Sequence, residues 1–138
     1  MGKIAYKILT NKNLLLQQFS GKTSKNDLAA FFTVLYDDPE YLKVSYIFSD
    51  FSNADIALTA QEMEEVALFI IEHAPKNSSV LNAIVVKEPL VTAYSLIYKE
   101  VMQAMPNYVC EVFSTYSSAA RFLDLKKAEL EQLVKENL

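Results

Sequence analysis

Tyr46-Ile47-Phe48-Ser49-Asp50, with the residues that follow as far as Ile71, decides how this chain folds. Tyr46 to Asp50 reads as a strand that ends on a carboxylate. Phe51 to Leu58 reads as a short polar loop. Thr59-Ala60-Gln61-Glu62 then opens an apolar helix with the T-x-x-E capping pattern, in which hydroxyl and carboxylate each satisfy a free N–H at the helix start. Met63, Val66, Ala67, Phe69 and Ile70 recur at helical spacing and carry that helix to His73. A strand end, an acidic loop and a capped helix N-terminus together make a place where something could bind.

The alternation continues toward the C-terminus. Val80 to Val86 is a nearly continuous apolar run, as expected of a central parallel strand covered on both faces. Glu88-Pro89 breaks it, and Thr92 to Met105 forms a third helix. Pro106-Asn107 separates that helix from a fifth strand, Tyr108 to Phe113, and Ser114 or Thr115 caps a last helix. Toward the N-terminus, Ile4 to Thr10 and Leu14 to Ser20 flank the turn residues Asn11-Lys12-Asn13, which predicts a hairpin ended by Gly21. Ser24-Lys25-Asn26-Asp27 starts the first helix, with Leu28, Phe31, Phe32 and Leu35 on one face. Asp37-Asp38-Pro39 stops it. Successive strand–helix–strand units need parallel crossovers. The expected fold is therefore α/β: one domain over residues 1–138, with a mixed sheet of about five strands and about four helices. The first strand pair is antiparallel and the rest are parallel β-α units.

Residues 124–138 form a helical extension. Leu123, Leu130, Val134 and Leu138 share a stripe that either packs on the same domain or makes an oligomer contact. That extension, together with the hydrophobic content of 51% for the whole chain, is the ground for expecting a homodimer.

Composition narrows the function. A net charge of -4, with Arg121 as the single arginine, argues against nucleic acid as a partner. No apolar run is long enough to span a bilayer, and the N-terminus from Met1 does not read as a signal peptide. One cysteine, Cys110, cannot form an intramolecular disulfide, which fits the cytoplasm. Two glycines, Gly2 and Gly21, are too few for a dinucleotide fingerprint or a phosphate-cradling loop. One histidine and one cysteine do not make a zinc site. His73 sits where a helix dipole favours a cation, and no nucleophile–base pair can be assembled around it. No enzyme, cofactor or metal is expected.

The binding candidates are Asp50, Ser52, Asp55 and Thr59, joined by Glu88 at the end of the next strand. In open α/β sheets the carboxyl ends of the strands are where ligands bind. Thr59 doubles as a candidate phosphoacceptor, since a phosphate there would meet free N–H groups and the positive end of the helix dipole. Phe69, Tyr94 and Tyr98 are candidates for an apolar pocket holding a small ligand or lipid.

The order of elements and several strings resemble the STAS-like family, in its anti-sigma-factor-antagonist and bacterial STAS/CRAL-TRIO-like branches. The strings are Tyr46-Ile47-Phe48-Ser49-Asp50 with Ser52-Asn53-Ala54-Asp55, then Leu58-Thr59-Ala60-Gln61-Glu62. Ala83-Ile84-Val85-Val86 before Glu88-Pro89-Leu90 follows, then Val112-Phe113 before Ser117-Ser118-Ala119-Ala120-Arg121-Phe122-Leu123. The resemblance covers most of residues 4–123. It implies a regulatory module whose partner binding is switched at the start of the helix after the third strand. The family's Asp-Ser-Ser-Gly string is replaced here by Leu58-Thr59-Ala60-Gln61. The related lipid-transfer domains imply an apolar cavity. The chain is thus expected to be a non-enzymatic module that binds a protein partner through residues 50–62. The alternatives are an apolar-ligand carrier and a phospho-switch at Thr59.

Overall fold

The computed structural model describes residues 2–76 and 79–138; Met1, and Asn77 from the expected helix stop Ala74-Pro75-Lys76-Asn77, lie outside the described residues. Five strands form one sheet in sequence order: β1 (Lys3–Leu9), β2 (Leu14–Ser24), β3 (Tyr46–Ala57), β4 (Val80–Val85) and β5 (Tyr108–Phe113). β1 and β2 pair antiparallel, and every later pair is parallel. The hairpin turns through a short 3-10 segment, Thr10–Lys12, and Asn13 in the left-handed region at φ 53°.

The helices are α1 (Lys25–Asp37), α2 (Ala60–His73), α3 (Pro89–Met102), α4 (Tyr116–Phe122) and α5 (Lys127–Asn137). Because the parallel strands advance in one direction across the sheet, right-handed crossovers place α1, α2 and α3 on the same face. Leu15, Phe19, Ile47 and Ile84 face those helices and form the larger core. The alternate strand residues Leu14, Leu16, Phe48, Ala83 and Val85 point the other way and would be bare without α4 and α5, which bury them with Ala119, Ala120, Leu123 and Leu130.

Both capping boxes are formed. Ser24 and Asp27 cap α1, and Thr59 and Glu62 cap α2, each with the two reciprocal hydrogen bonds. Asp37-Asp38-Pro39 ends α1 as expected, and Pro39–Lys43 continues as a 3-10 turn.

Four expectations are corrected. β2 does not stop at Gly21: it runs to Ser24, with Gly21 at φ 72° where a side chain would be strained. Phe51 to Leu58 is not a loop, because β3 continues to Ala57 alongside the lengthened β2. Buried Ala54, Ile56 and Leu58 alternate with exposed Asn53, Asp55 and Ala57, a period-two signal hidden among polar residues. The third helix begins at Pro89 rather than Thr92, since proline suits the first helical position. Among the described residues there are five helices rather than about four, because the C-terminal helix breaks at 123–126. Asp124 takes φ 59°, with Leu125 N–H donating to Ala120 O at 2.8 Å and Asp124 N–H to Arg121 O at 3.1 Å. These are the two bonds of a Schellman stop.

The extension packs on its own domain. Leu130 is fully buried, Leu133, Val134 and Leu138 lie against the same cluster, and Glu129 pairs with Lys12 at 3.6 Å. The stripe that suggested a dimer through this helix is covered by the chain's own sheet.

Candidate functional site

A β-bulge shapes the site. Gln18 pairs with Asp50 and Ser20 with Asn53, so β3 carries one extra residue at Phe51–Ser52. Before the bulge Ile47 and Ser49 face α1–α3; after it Ala54 and Ile56 do. Phe51 stacks on Phe19 at the bulge, with ring centroids 4.1 Å apart.

Asp50 lies at this point, inside the strand rather than at its end. It is 2% exposed and faces α4. Its Oδ1 accepts from the N–H and the hydroxyl of Ser52, and its Oδ2 accepts from Gln18 Nε2 and the Tyr116 hydroxyl. The Ser52 N–H, freed from the ladder by the bulge, is thereby satisfied. Burial, reinforced by the bond to Asp50, pushes the Tyr116 pKa up. Asp50 is an internal organiser with its lone pairs engaged, not an acid presented to a ligand.

The remaining acidic candidates meet on the surface. Ser52, Asp55 and Glu88 line one open groove of about 430 Å³, together with Ile56, Leu90 and Val91. The groove lies beside the extended half of β3 and the start of α3. Leu90 is 57% exposed there. Thr59 stands outside the lining. It is exposed, and its hydroxyl oxygen serves the capping box.

Behind the groove is a second space. Between the sheet and α1–α3 lies a cavity with about 50 Å³ open to the centres of water molecules. Ile56 and Val91 line both spaces and so form the wall between them. Tyr94 and Tyr98 line the cavity, and Phe69, the third pocket candidate, does not: it stacks on His73 at 4.1 Å. The Tyr94 hydroxyl donates to Leu58 O, tying α3 to the end of β3.

The floor of the cavity is polar, and composition alone gave no hint of it. Gln17 Nε2 donates to Ser49 Oγ at 2.8 Å, and Ser49 Oγ donates to Asn82 Oδ1 at 2.8 Å. Asn82 Nδ2 donates to Tyr108 OH at 2.7 Å, which shares a bond of 2.8 Å with Tyr98 OH. The relay crosses four adjacent strands and ends on α3. Burial pushes the Tyr98 and Tyr108 pKa values up, so both hydroxyls stay neutral at ordinary pH. Gln17 Oε1 is buried without a hydrogen-bond partner among the described residues. The available signal was a polar residue inside a strand covered on both faces: Gln17 after Leu14-Leu15-Leu16, and Asn82 in the Val80–Val86 run.

Cys110 is buried behind α3, and loss of solvation pushes its thiol pKa up to about 12, which suits an inert thiol. Among the described residues no three His, Cys, Asp or Glu side chains stand close enough to hold a metal ion, and no helix is long and apolar enough to cross a membrane.

A five-stranded mixed sheet, wound to one side by three helices and closed on the other by a C-terminal pair, is an arrangement of the SpoIIAA-like fold. Among solved structures the chain is similar to an uncharacterised protein of the DUF3478 family with a SpoIIAA-like fold, from Shewanella loihica PV-4. The TM-score is 0.56 and the identity 16%, over 89% of this chain and 95% of that one. At that identity the likeness concerns the fold. No family model matches the sequence, and no curated protein matches it.

Proposed function

We propose that this chain is a non-enzymatic, cytoplasmic binding module that takes a protein partner on the groove formed by Ser52–Ile56 and Glu88–Val91. The single observation behind this reading is the meeting of Asp55, Glu88 and exposed Leu90 in one open groove at the carboxyl side of the parallel strands. An apolar side chain flanked by two carboxylates suits a partner segment that presents an apolar residue beside Lys or Arg. Crosslinking in the native cell, repeated with Leu90→Asp and Glu88→Lys, tests it. The intact chain should capture a defined partner and both variants should lose it. A chain that captures nothing and turns over a substrate would refute it.

A phosphate on Thr59 would displace the Glu62 carboxylate from the Thr59 N–H and sit beside its charge. That favours the helix cap over a phospho-switch.

One observation favours a second reading, a small-ligand protein. The space beside Tyr94 and Tyr98 is partly open, largely apolar and floored by polar groups, one of which has no partner among the described residues. Native mass spectrometry of protein taken from cells tests it, and a clean unliganded mass with no stabilisation by any small molecule would remove it.

A further inference from the structure

We propose that the cavity between the sheet and α1–α3 is a binding site for a small, uncharged molecule with a short apolar body and one hydroxyl donor, such as a short-chain alcohol. This rests on the small-ligand reading above and fixes the chemical class of the occupant.

Three observations lead there. The first is the unpaired acceptor. Gln17 is 5% exposed and lines the cavity and a smaller space of about 20 Å³ beside it, and its Nε2 is committed to Ser49 while its Oε1 has no partner among the described residues. A buried carbonyl oxygen left in that state costs free energy that a donor would recover. The relay runs in one direction, from the Gln17 amide through Ser49 and Asn82 to the tyrosine pair. A donor arriving at Oε1 completes its open end and polarises each bond after it.

The second is charge. Among the described residues, every one that lines the cavity is uncharged, and the two buried tyrosines near its floor are held neutral. An ionised carboxylate, phosphate or ammonium would enter without a counter-charge, at a large desolvation cost. The third is size. A water needs roughly 10–15 Å³ on the measure that gives about 50 Å³ here, so the space suits about three to five small heavy-atom positions. Long acyl chains do not fit that volume. Ile56 and Val91 line both cavity and groove, so the two spaces adjoin there.

The experiment compares isomers. 1-Butanol and diethyl ether have the same atoms, but only the alcohol donates. Each is titrated into the full chain labelled with nitrogen-15, following the Gln17 side-chain amide and the Ile84 and Val91 amides. 1-Butanol should bind at least ten-fold more tightly than the ether and should shift the Gln17 NH2 signals. Gln17→Leu should bring the two affinities within about two-fold of each other. If the isomers bind equally to the intact chain, the donor assignment fails and the cavity reading stands. If neither perturbs the cavity residues at tens of millimolar, the space holds water alone and both fail. The shifts in the intact chain decide the matter even if Gln17→Leu does not fold.

Discussion

The hydroxyl of Tyr116, on the helix that closes the back of the sheet, donates to the carboxylate of Asp50, 66 residues earlier at the bulge in β3. The same carboxylate holds the Ser52 N–H at 2.9 Å. One buried acid therefore fixes two things: the register shift that turns Ala54 and Ile56 toward the α1–α3 core, and the docking of α4 on the opposite face. The groove owes its shape to a residue that does not line it.

Replacing Asp50 by Ala leaves a backbone N–H and a tyrosine hydroxyl without their acceptor inside the protein. At about 1–3 kcal/mol for each buried unsatisfied group, Asp50→Ala should destabilise the fold by about 3 kcal/mol. Asp50→Asn keeps one acceptor oxygen and should cost about half as much. Urea unfolding midpoints measure both, and an unchanged midpoint for the alanine variant would sink the role given to Asp50.

Ser49 occupies the middle of the polar relay, with Gln17 on one side and Asn82 on the other. Ser49→Ala removes one small group and strands two buried amides, so the expected loss is about 2–4 kcal/mol. Val85→Ala, a buried apolar truncation in the neighbouring strand, serves as the comparison, at about 1–3 kcal/mol. The relay reading requires the loss of one oxygen to cost at least as much as the loss of two methyl groups, which thermal or urea denaturation can decide.

Thr59→Ala should cost about 1 kcal/mol, the usual value of an N-cap, and should leave capture of a groove partner intact. Loss of capture with unchanged stability would instead favour a regulatory role for the hydroxyl. Stability and crosslinking on the same variant separate the two.

Leu130 is fully buried beneath α5, and Leu130→Ala should cost about 2–5 kcal/mol. The variant should also become more open to proteolysis at the Asp124–Lys126 break, where the Schellman turn joins two short helices. Wild-type protein should remain uncut under the same conditions. A variant as resistant as the wild type would mean that α5 is held by something other than this side chain.

Alkaline pH should unfold the chain cooperatively. Tyr98, Tyr108, Tyr36 and Tyr116 all have pKa values raised from 10.0, chiefly by burial, and the Cys110 thiol is raised from 9.0 to about 12. A raised folded-state pKa gives stability that is whole below the unfolded value and is lost as pH rises toward the folded one. Stability should hold to about pH 9 and then fall steadily through pH 10 to 12. Tyrosinate absorbance followed beside circular dichroism tests this: buried tyrosines should ionise together with loss of fold. Ionisation of all of them near pH 10 in a folded chain would contradict it.

The alternation of elements, the antiparallel start and the parallel remainder were legible because apolar periodicity and capping residues are local. Thr59 with Glu62 and Ser24 with Asp27 sit three residues apart, so their pairing is written in the chain itself. Glu88 was legible as a strand-end acid for the same reason. The extent of β3 was harder to read. Its second half alternates, but Ser52, Asn53 and Asp55 resemble a loop until β2 is known to run beside it.

What the sequence determined by itself was which segments become strands and helices, because apolar spacing and capping residues act over a few residues. What only the tertiary structure decided was the use made of the polar side chains. Asp50 was turned inward by a bulge that depends on register with β2. Gln17, Ser49, Asn82 and Tyr108 were joined into one relay by the order of four strands, and Asp55 was brought beside Glu88 by the parallel sheet. Such groups lie tens of residues apart in sequence, and hydrogen bonds and cavities depend on distances in space that no local pattern encodes.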